Sequence, residues 1–509
     1  MLGIIAVVLI LPILAGYLVW ISWKRLTFCQ ILSPIPGPKS WPIVGNALQF
    51  DRTPQGFHEQ LVKWAEEYYS NGYFCMWIGP KPYIVVFKAE YAEVILSNQK
   101  NITKNYGYKL MEPWLGTGLL TSTGNKWKSR RRLLTPAFHY HILEDYIPVY
   151  LTQSSTLISL LKEKAGKGEF DIAPYLRMFT LDVICEAAMG VKVNAQNDNN
   201  SKYASAVLSI SELILERWRS PWLSTDAIYN LTSSGARQKA ILETLHSYTN
   251  KVISDRIELR KLDKSKNEKT PPGVEPVKRP RKRNNFLDLL LDECDVGNIT
   301  IEGVREEVDT FMFEGHDTTA SSLQWAVHMI GRHPQIQTQL QNEVDKFYDT
   351  HGDEVVSVSQ LKELQYLECA IKETLRCLPS VPLIGREITD DCEFGPHSIP
   401  KGCAIVLLMK PIHQDPNVWD EPKTFNPDRF LLDNVTEKNP FSYIPFSGGP
   451  RNCIGQRFAM MEEKVVLSSI LRHFNIKSTQ ITDNIKVTAD AILSSVEGIL
   501  VELEPRNAF

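Results

Sequence analysis

The chain has 509 residues, 43% of them hydrophobic and 23% charged, with a formal net charge of −3. Such a length can bury a large core, and a charge so near neutral excludes nucleic-acid recognition by bulk electrostatics. The nine cysteines are scattered without a CxxC pair, so their spacing gives neither a disulfide framework nor a zinc site, and it suits a reducing compartment.

Met1 to Trp23 carries no charged side chain, and Lys24 and Arg25 follow directly. At ~1.5 Å per residue this run can cross a ~30 Å hydrocarbon core. The basic pair then predicts a cytosolic body and a lumenal N-terminus. A cleaved signal peptide is the competing reading, but the run is long, lacks a basic start and ends in bulky residues. The sequons at Asn101, Asn199, Asn230, Asn298 and Asn434 should carry no sugar if the body is cytosolic.

Residues 24–40 read as a basic and proline-rich linker, with Pro34-Ile35-Pro36-Gly37-Pro38 unable to continue a helix. The body is expected over 41–509. Trp77 to Phe87 is β-branched and aromatic and predicts strands. From about Asn125 to Asp255 apolar residues recur at three- and four-residue steps and predict helices. Residues 261–285 are rich in Lys, Arg, Glu and Pro and read as a charged surface loop. Long helices are predicted from about Ile301 to His333 and from Ser359 to Leu378, each followed by proline. Short strands and loops then lead to Phe446, where helix resumes. The fold class is mainly α with small β-sheets, plus one N-terminal transmembrane helix.

The strongest chemical signal is Phe446-Ser447-Gly448-Gly449-Pro450-Arg451-Asn452-Cys453-Ile454-Gly455. A cysteine in a Gly- and Pro-rich loop before a helix can receive backbone N–H groups that tune its thiolate as a metal ligand. A buried cysteine in a turn is the plain alternative. This segment resembles the haem-binding pattern of the cytochrome P-450 superfamily, Phe-x-x-Gly-x-Arg-x-Cys-x-Gly, at every specified position. The resemblance covers the whole chain, since the other family motifs follow in order. It implies haem b (iron protoporphyrin IX) ligated by Cys453 and contacted by Phe446, Arg451 and Gly455.

Glu373-Thr374-Leu375-Arg376 places two opposite charges three residues apart on a helix. With Asn426-Pro427-Asp428-Arg429-Phe430 it is similar to the family's Glu-Arg-Arg network around the haem. In Glu314-Gly315-His316-Asp317-Thr318-Thr319 the resemblance implies room for dioxygen at Gly315 and an acid–alcohol proton relay at Asp317 and Thr318. A polar kink is the plain alternative. His316 points ~100° away from its neighbours and is read as outside the site. Glu314 and Thr318, at i and i+4, share a face. A carboxylate here resembles family 4, the fatty-acid ω-hydroxylases and their relatives, and implies an ester between Glu314 and a haem methyl. Trp127 and Arg131, also i and i+4, and Arg386 resemble the family's propionate ligands. Outward Lys128, Arg130 and Arg132 form a candidate docking patch for an acidic reductase.

Substrate contacts implied by the resemblance fall at Met111 to Leu120, Phe311, Val381 to Ile384 and Leu493 to Val496. Asn105 to Tyr108 and Glu112 to Leu115 look most like the 4V and 4C branches. The expected function is insertion of one oxygen atom of O₂ into a C–H bond, with a fatty-acid terminus as first choice. Electrons would come from NADPH through cytochrome P-450 reductase, with cytochrome b5 as a second donor. The expected location is the endoplasmic reticulum membrane, single-pass. The alternatives are a haem-thiolate isomerase or dehydratase, a monooxygenase of steroids, hydrocarbons or xenobiotics, and a haem carrier without turnover.

Overall fold

The computed structural model describes residues 16, 25–51, 53–197, 202–268, 285–352, 357–431 and 438–506. Except for Gly16, the expected membrane span at 1–23 lies outside them. No helix among the described residues is long and apolar enough to cross a membrane.

The strands predicted near Trp77 are β1 (Tyr73–Ile78) and β2 (Lys81–Val86). They pair antiparallel from Tyr73↔Val86 to Ile78↔Lys81 and turn through Gly79, whose φ is +60°. Further strands are β3 (Phe170–Asp171), β4 (Leu383–Glu387), β5 (Cys392–Phe394), β6 (His397–Ile399) and β7 (Ala404–Leu408). The C-terminal part adds β8 (Phe474–Ser478), β9 (Val487–Ala489), β10 (Leu493–Ser495) and β11 (Leu500–Pro505). The largest sheet has the order β1-β2-β7-β4. Every residue of β7 is buried, which its unbroken apolar run Ala-Ile-Val-Leu-Leu requires of a strand covered on both faces.

Eight helices position the site. They are α1 (Gly124–Leu134), α2 (Ile147–Lys162), α3 (Ala173–Ala187), α4 (Lys202–Arg219), α5 (Ser233–Glu268), α6 (Ile301–Arg332), α7 (Gln365–Cys377) and α8 (Gln456–His473). Helix α6 crosses the core, and 24 of its 32 residues are buried. Its start is capped by Thr300, whose side chain accepts from the Gly303 N–H. Its end gives way to Pro334, which cannot donate to the preceding turn.

Three sequence expectations are corrected. The segment 24–40, read as a basic and proline-rich linker, packs onto the body. Residues 25–32 are helical, Leu32 and Ile35 are buried, and the Cys75 N–H of β1 donates to the Pro36 carbonyl. A Cβ on Gly37 would lie 2.0 Å from the Cys75 carbonyl oxygen, so only glycine permits that docking. The loop expected over 261–285 is helical to Glu268, because Lys, Leu and Glu sustain a helix without an apolar face. Residues 269–284 lie outside the described residues. The helix expected from Ser359 to Leu378 is broken into Val358–Leu361 and α7. Glu343 causes the restart, its carboxylate accepting from the Tyr366 and Leu367 N–H groups at 2.7 and 2.9 Å. This cap comes from a distant helix and has no local signal.

Candidate active site

The loop before α8 is built around its cysteine. The Cys453 N–H donates to the Phe446 carbonyl at 2.8 Å. Ser447 and Gly449 take φ of +61° and +68°. A Cβ at Gly449 would sit 1.8 Å from the Leu96 carbonyl oxygen, so the turn demands glycine. The Cys453 thiol opens onto a cavity of about 220 Å³. Burial and then the Glu314 carboxyl push the thiol up to about 11, while the Gly455 and Gln456 N–H groups and Arg131 pull the other way. Those N–H groups at the α8 N-terminus are the donors a metal-bound thiolate needs.

Four cations gather on one side of the cavity. Trp127 and Arg131 both line it from α1. Arg131 donates to the Asn452 carbonyl at 2.7 Å and to Asn452 Oδ1 at 2.9 Å, tying α1 to the cysteine loop. Arg451 donates to the carbonyls of Ile102, Leu119, Leu120 and Ser122, and its guanidinium lies 4.9 Å from the Trp127 ring centroid. Burial and Arg386 lower Arg451 to about 9. Lys104 also lines the cavity, and burial with Arg386 and Arg451 pulls it well below its ordinary value. Arg386 itself is 2% exposed and is not on the cavity wall. It donates to the Gly385 carbonyl and reaches the site through its field.

Helix α6 supplies the opposite wall. Glu314, Gly315, Thr318, Thr319 and Ser322 line the cavity. Burial raises Glu314 to about 7 against the pull of Lys104, Arg451 and Arg131. The Thr318 hydroxyl donates to the Glu314 carbonyl at 2.5 Å. Gly315 does not leave open space as expected, because a Cβ there would meet Ile184 of α3 at 2.6 Å. Its missing side chain is used for helix packing. Asp317 is not on the cavity wall. It is buried against α3, with Oδ1 3.5 Å from Arg177 Nε, so the expected Asp317–Thr318 pair is not a side-chain contact. Adjacent helix residues diverge by ~100°, and Arg177 takes the carboxylate. His316 is buried and bonds the Met312 carbonyl through Nδ1 at 2.7 Å, away from the cysteine.

Behind the cysteine loop, Glu373 and Arg376 are fully buried. Arg376 Nε and Nη2 donate to the two Glu373 oxygens at 2.7 and 2.8 Å. Arg429 Nε stands 3.4 Å from Glu373 Oε1, and the Asn426 N–H donates to the same oxygen. Arg376 also ties down the carbonyls of His413, Pro422 and Thr424. These bonds fix the segment leading to the cysteine loop.

A second cavity of about 150 Å³ continues from the first, sharing Tyr108, Leu120, Glu314, Thr318, Val381 and Ile384. Met111 and Leu383 also line it. Phe313 rather than Phe311 faces it, while Phe311 lines the first cavity and stacks on Phe138. Leu493 to Val496 do not line it. Asp490, Ala491 and Ile492 do, because Leu493 is held by its carbonyl, which accepts from Ser321 and Trp325. Lys104, Tyr108 and Glu463 are wall residues that sequence reasoning missed. Of the expected docking cations, Lys128 and Arg132 are exposed. Arg130 turns inward to the buried Glu307 at 3.5 Å and drops out of that patch.

The residues present fit a haem. A thiol faces N–H donors, and the half-buried Lys104 and Arg131 with the buried Arg386 and Arg451 form a cationic group that suits two propionate carboxylates.

A sequence model of the family described as Cytochrome P450 matches residues 35–501. Human Cytochrome P450 4V2 is 42% identical over 483 residues, covering 94% of this chain and 91% of that protein. Cytochrome P450 4c21 of Blattella germanica is 39% identical, covering 94% of each chain. Cytochrome P450 4c3 of Drosophila melanogaster is 37% identical, covering 96% of this chain and 93% of that protein. With the thiol cradle, the cation cluster and the Glu373–Arg376 lock in place, the chain belongs to the cytochrome P450 family, among the family 4 monooxygenases.

Proposed function

We propose that this monooxygenase hydroxylates a medium- or long-chain fatty acid at or near its terminal carbon. The observation that carries the reading is Glu314, a carboxyl that lines the cavity wall with Thr318. Met111, Leu120, Phe313, Val381 and Ile384 line the cavity leading away from it. Apolar walls of this kind take an alkyl chain lengthwise, and holding it end-on selects the terminal C–H bond over weaker internal ones. Haem, when bound, would supply oxygen activation. Cys453 would be its thiolate ligand, Lys104, Arg131 and Arg451 would hold its acidic edge, and Trp127 would offer that edge an indole N–H. The Thr318 hydroxyl stands where it can pass a proton into the cavity.

Haem b is the group in question, and Glu314 would carry an ester to one of its methyls: a methyl C–H bond breaks, a C–O bond forms, and the two electrons go to hydrogen peroxide made from O₂ in turnover, which ends as water. Denaturation in acid-organic solvent should leave haem on the polypeptide and release it from Glu314→Ala. Complete extraction from the wild type sinks the ester. Electrons come from NADPH through a reductase, with exposed Lys128 and Arg132 in its docking face and cytochrome b5 as a second donor. The location is the endoplasmic reticulum membrane, with the body cytosolic. Exposed apolar residues support a membrane-facing surface. Trp41, Ile43 and Leu48 are exposed, as are Trp222, Ile228 and Leu231 in the connection from α4 to α5. Pro221 and the Ile43 carbonyl both lie against Gly79, so the two groups adjoin.

The test is product analysis by mass spectrometry, in membranes with reductase and NADPH and a mixed series of fatty acids. Terminal hydroxy acids that need NADPH and vanish in Cys453→Ala are expected. Their absence from haem-loaded protein overturns the fatty-acid assignment.

A further inference from the structure

Helix α8 buries two consecutive acids that the site described above does not use. Glu462 and Glu463 are 0% and 2% exposed. Both oxygens of Glu462 and Oε2 of Glu463 are buried without a hydrogen-bond partner. Such groups are costly in a dry core and are ordinarily satisfied by ordered water. Burial raises both acids, Glu463 to about 8 against a pull from Ser322, and Glu462 well above its ordinary value with help from the Glu463 charge. They therefore hold their protons at neutral pH.

Their surroundings give this a direction. Glu463 and Ser322 of α6 both line the haem cavity, and the Ser322 hydroxyl lowers the carboxyl's affinity for its proton while itself buried without a direct hydrogen-bond partner, as Glu463 Oε2 is. Gly315, Thr318, Thr319 and Ser322 recur at three- and four-residue steps and all line that cavity, so they form one small polar strip along α6. On the other side, Glu462 acts electrostatically on Tyr150 of α2, and Tyr146 does so in turn. The Tyr150 hydroxyl is buried without a partner. Both tyrosine rings pack on Phe458, with centroids 5.7 and 5.4 Å away. Glu462 and Tyr150 are thus unpartnered polar groups buried where α2 packs on α8, and Glu463 beside them in the chain opens on the cavity, while Asp317 is held off the cavity wall by Arg177.

We propose that Glu463 is a positioning residue that supplies protons to the oxygen site through Ser322 and the α6 strip, refilled along a hydrated seam past Glu462 and Tyr150. The Glu463 carboxyl gives its proton to the Ser322 hydroxyl, which releases its own toward Thr319, Thr318 and the reduced oxygen. The Glu463 carboxylate then takes a proton from the water chain. These groups exchange no electrons, which arrive from NADPH. The proposal rests on the monooxygenase class alone and is independent of the fatty-acid reading.

Two measurements test it without a substrate. In infrared spectra of the purified protein, Glu463→Gln should remove a protonated carboxyl band. In native wild type that band should shift on mixing with D₂O, and Tyr150→Phe should slow the shift several-fold. A band that resists exchange in the folded protein, or that is missing, overturns the proposal. In substrate-free turnover with reductase, oxygen goes to peroxide or, with more protons and electrons, to water. Glu463→Gln should raise the peroxide share several-fold with the haem absorption spectrum unchanged. Glu463→Asp should restore part of the loss. A peroxide share equal to wild type also overturns it.

Discussion

Two buried carboxyl clusters, one before the cysteine loop in the chain and one after it, follow opposite rules. Glu373 is ionically paired with Arg376 and Arg429 and accepts from the Asn426 N–H. Glu462 has no partner on either oxygen, and Glu463 has none on Oε2. The first cluster keeps its charges because guanidinium forks replace the lost water. The second cannot, so burial holds its protons on. Full burial by itself therefore does not say what an acid does. Its neighbours decide whether it locks the fold or stores a proton.

Breaking the paired cluster should have the largest effect. Glu373→Ala leaves Arg376 buried and unpaired, and should cost about 3–5 kcal/mol. Denaturant unfolding should show this together with loss of haem. A loss below about 1 kcal/mol would mean that the lock is not electrostatic.

The unpaired cluster should respond in the reverse sense. Glu463 has a folded value of about 8 against an ordinary 4.5, so the folded state binds the extra proton. Its contribution is fully present below 4.5, declines as pH rises, and is lost once pH passes 8. Glu463→Gln removes that decline, so stability should be near wild type at acid pH and above it in alkali. Parallel pH–stability curves for the two proteins would show that Glu463 is ionised in the fold.

A smaller effect is expected between these extremes, at Asp317 and Arg177. Their side chains are only 4% and 14% exposed but stand 3.5 Å apart. Asp317→Asn leaves the Arg177 charge without its counter-ion and should cost about 1 kcal/mol, the size of an ordinary destabilising substitution, seen as a lowered melting temperature. Least of all, Lys128→Ala should change stability by about 0.5 kcal/mol or less. It should weaken reductase coupling at low salt and much less at high salt.

Much of the site was legible because its signals are local. The cysteine loop, the Glu373–Arg376 spacing and the Glu314–Thr318 face depend on turn chemistry and helix period, which the chain order carries directly. Helix period fixed which residues of α6 share a face, but not which face meets the cavity. So Asp317 was expected beside Thr318, and Arg177, 140 positions earlier, decided otherwise. Lys104 gave no signal, because a lone lysine between Thr103 and Asn105 has the look of surface.

The sequence by itself determined the thiolate loop, the helical class, the α6 motif and the family, all consequences of short-range spacing and residue type. Tertiary structure alone decided that Asp317 stands against Arg177, that Arg130 turns to Glu307, and that Asp490 to Ile492 rather than Leu493 to Val496 line the distal cavity. It also brought Glu463 against Ser322. The physical reason is common to all four. A side chain's partner is set by which elements pack together and in what register, and those partners lie tens to hundreds of residues away in the chain.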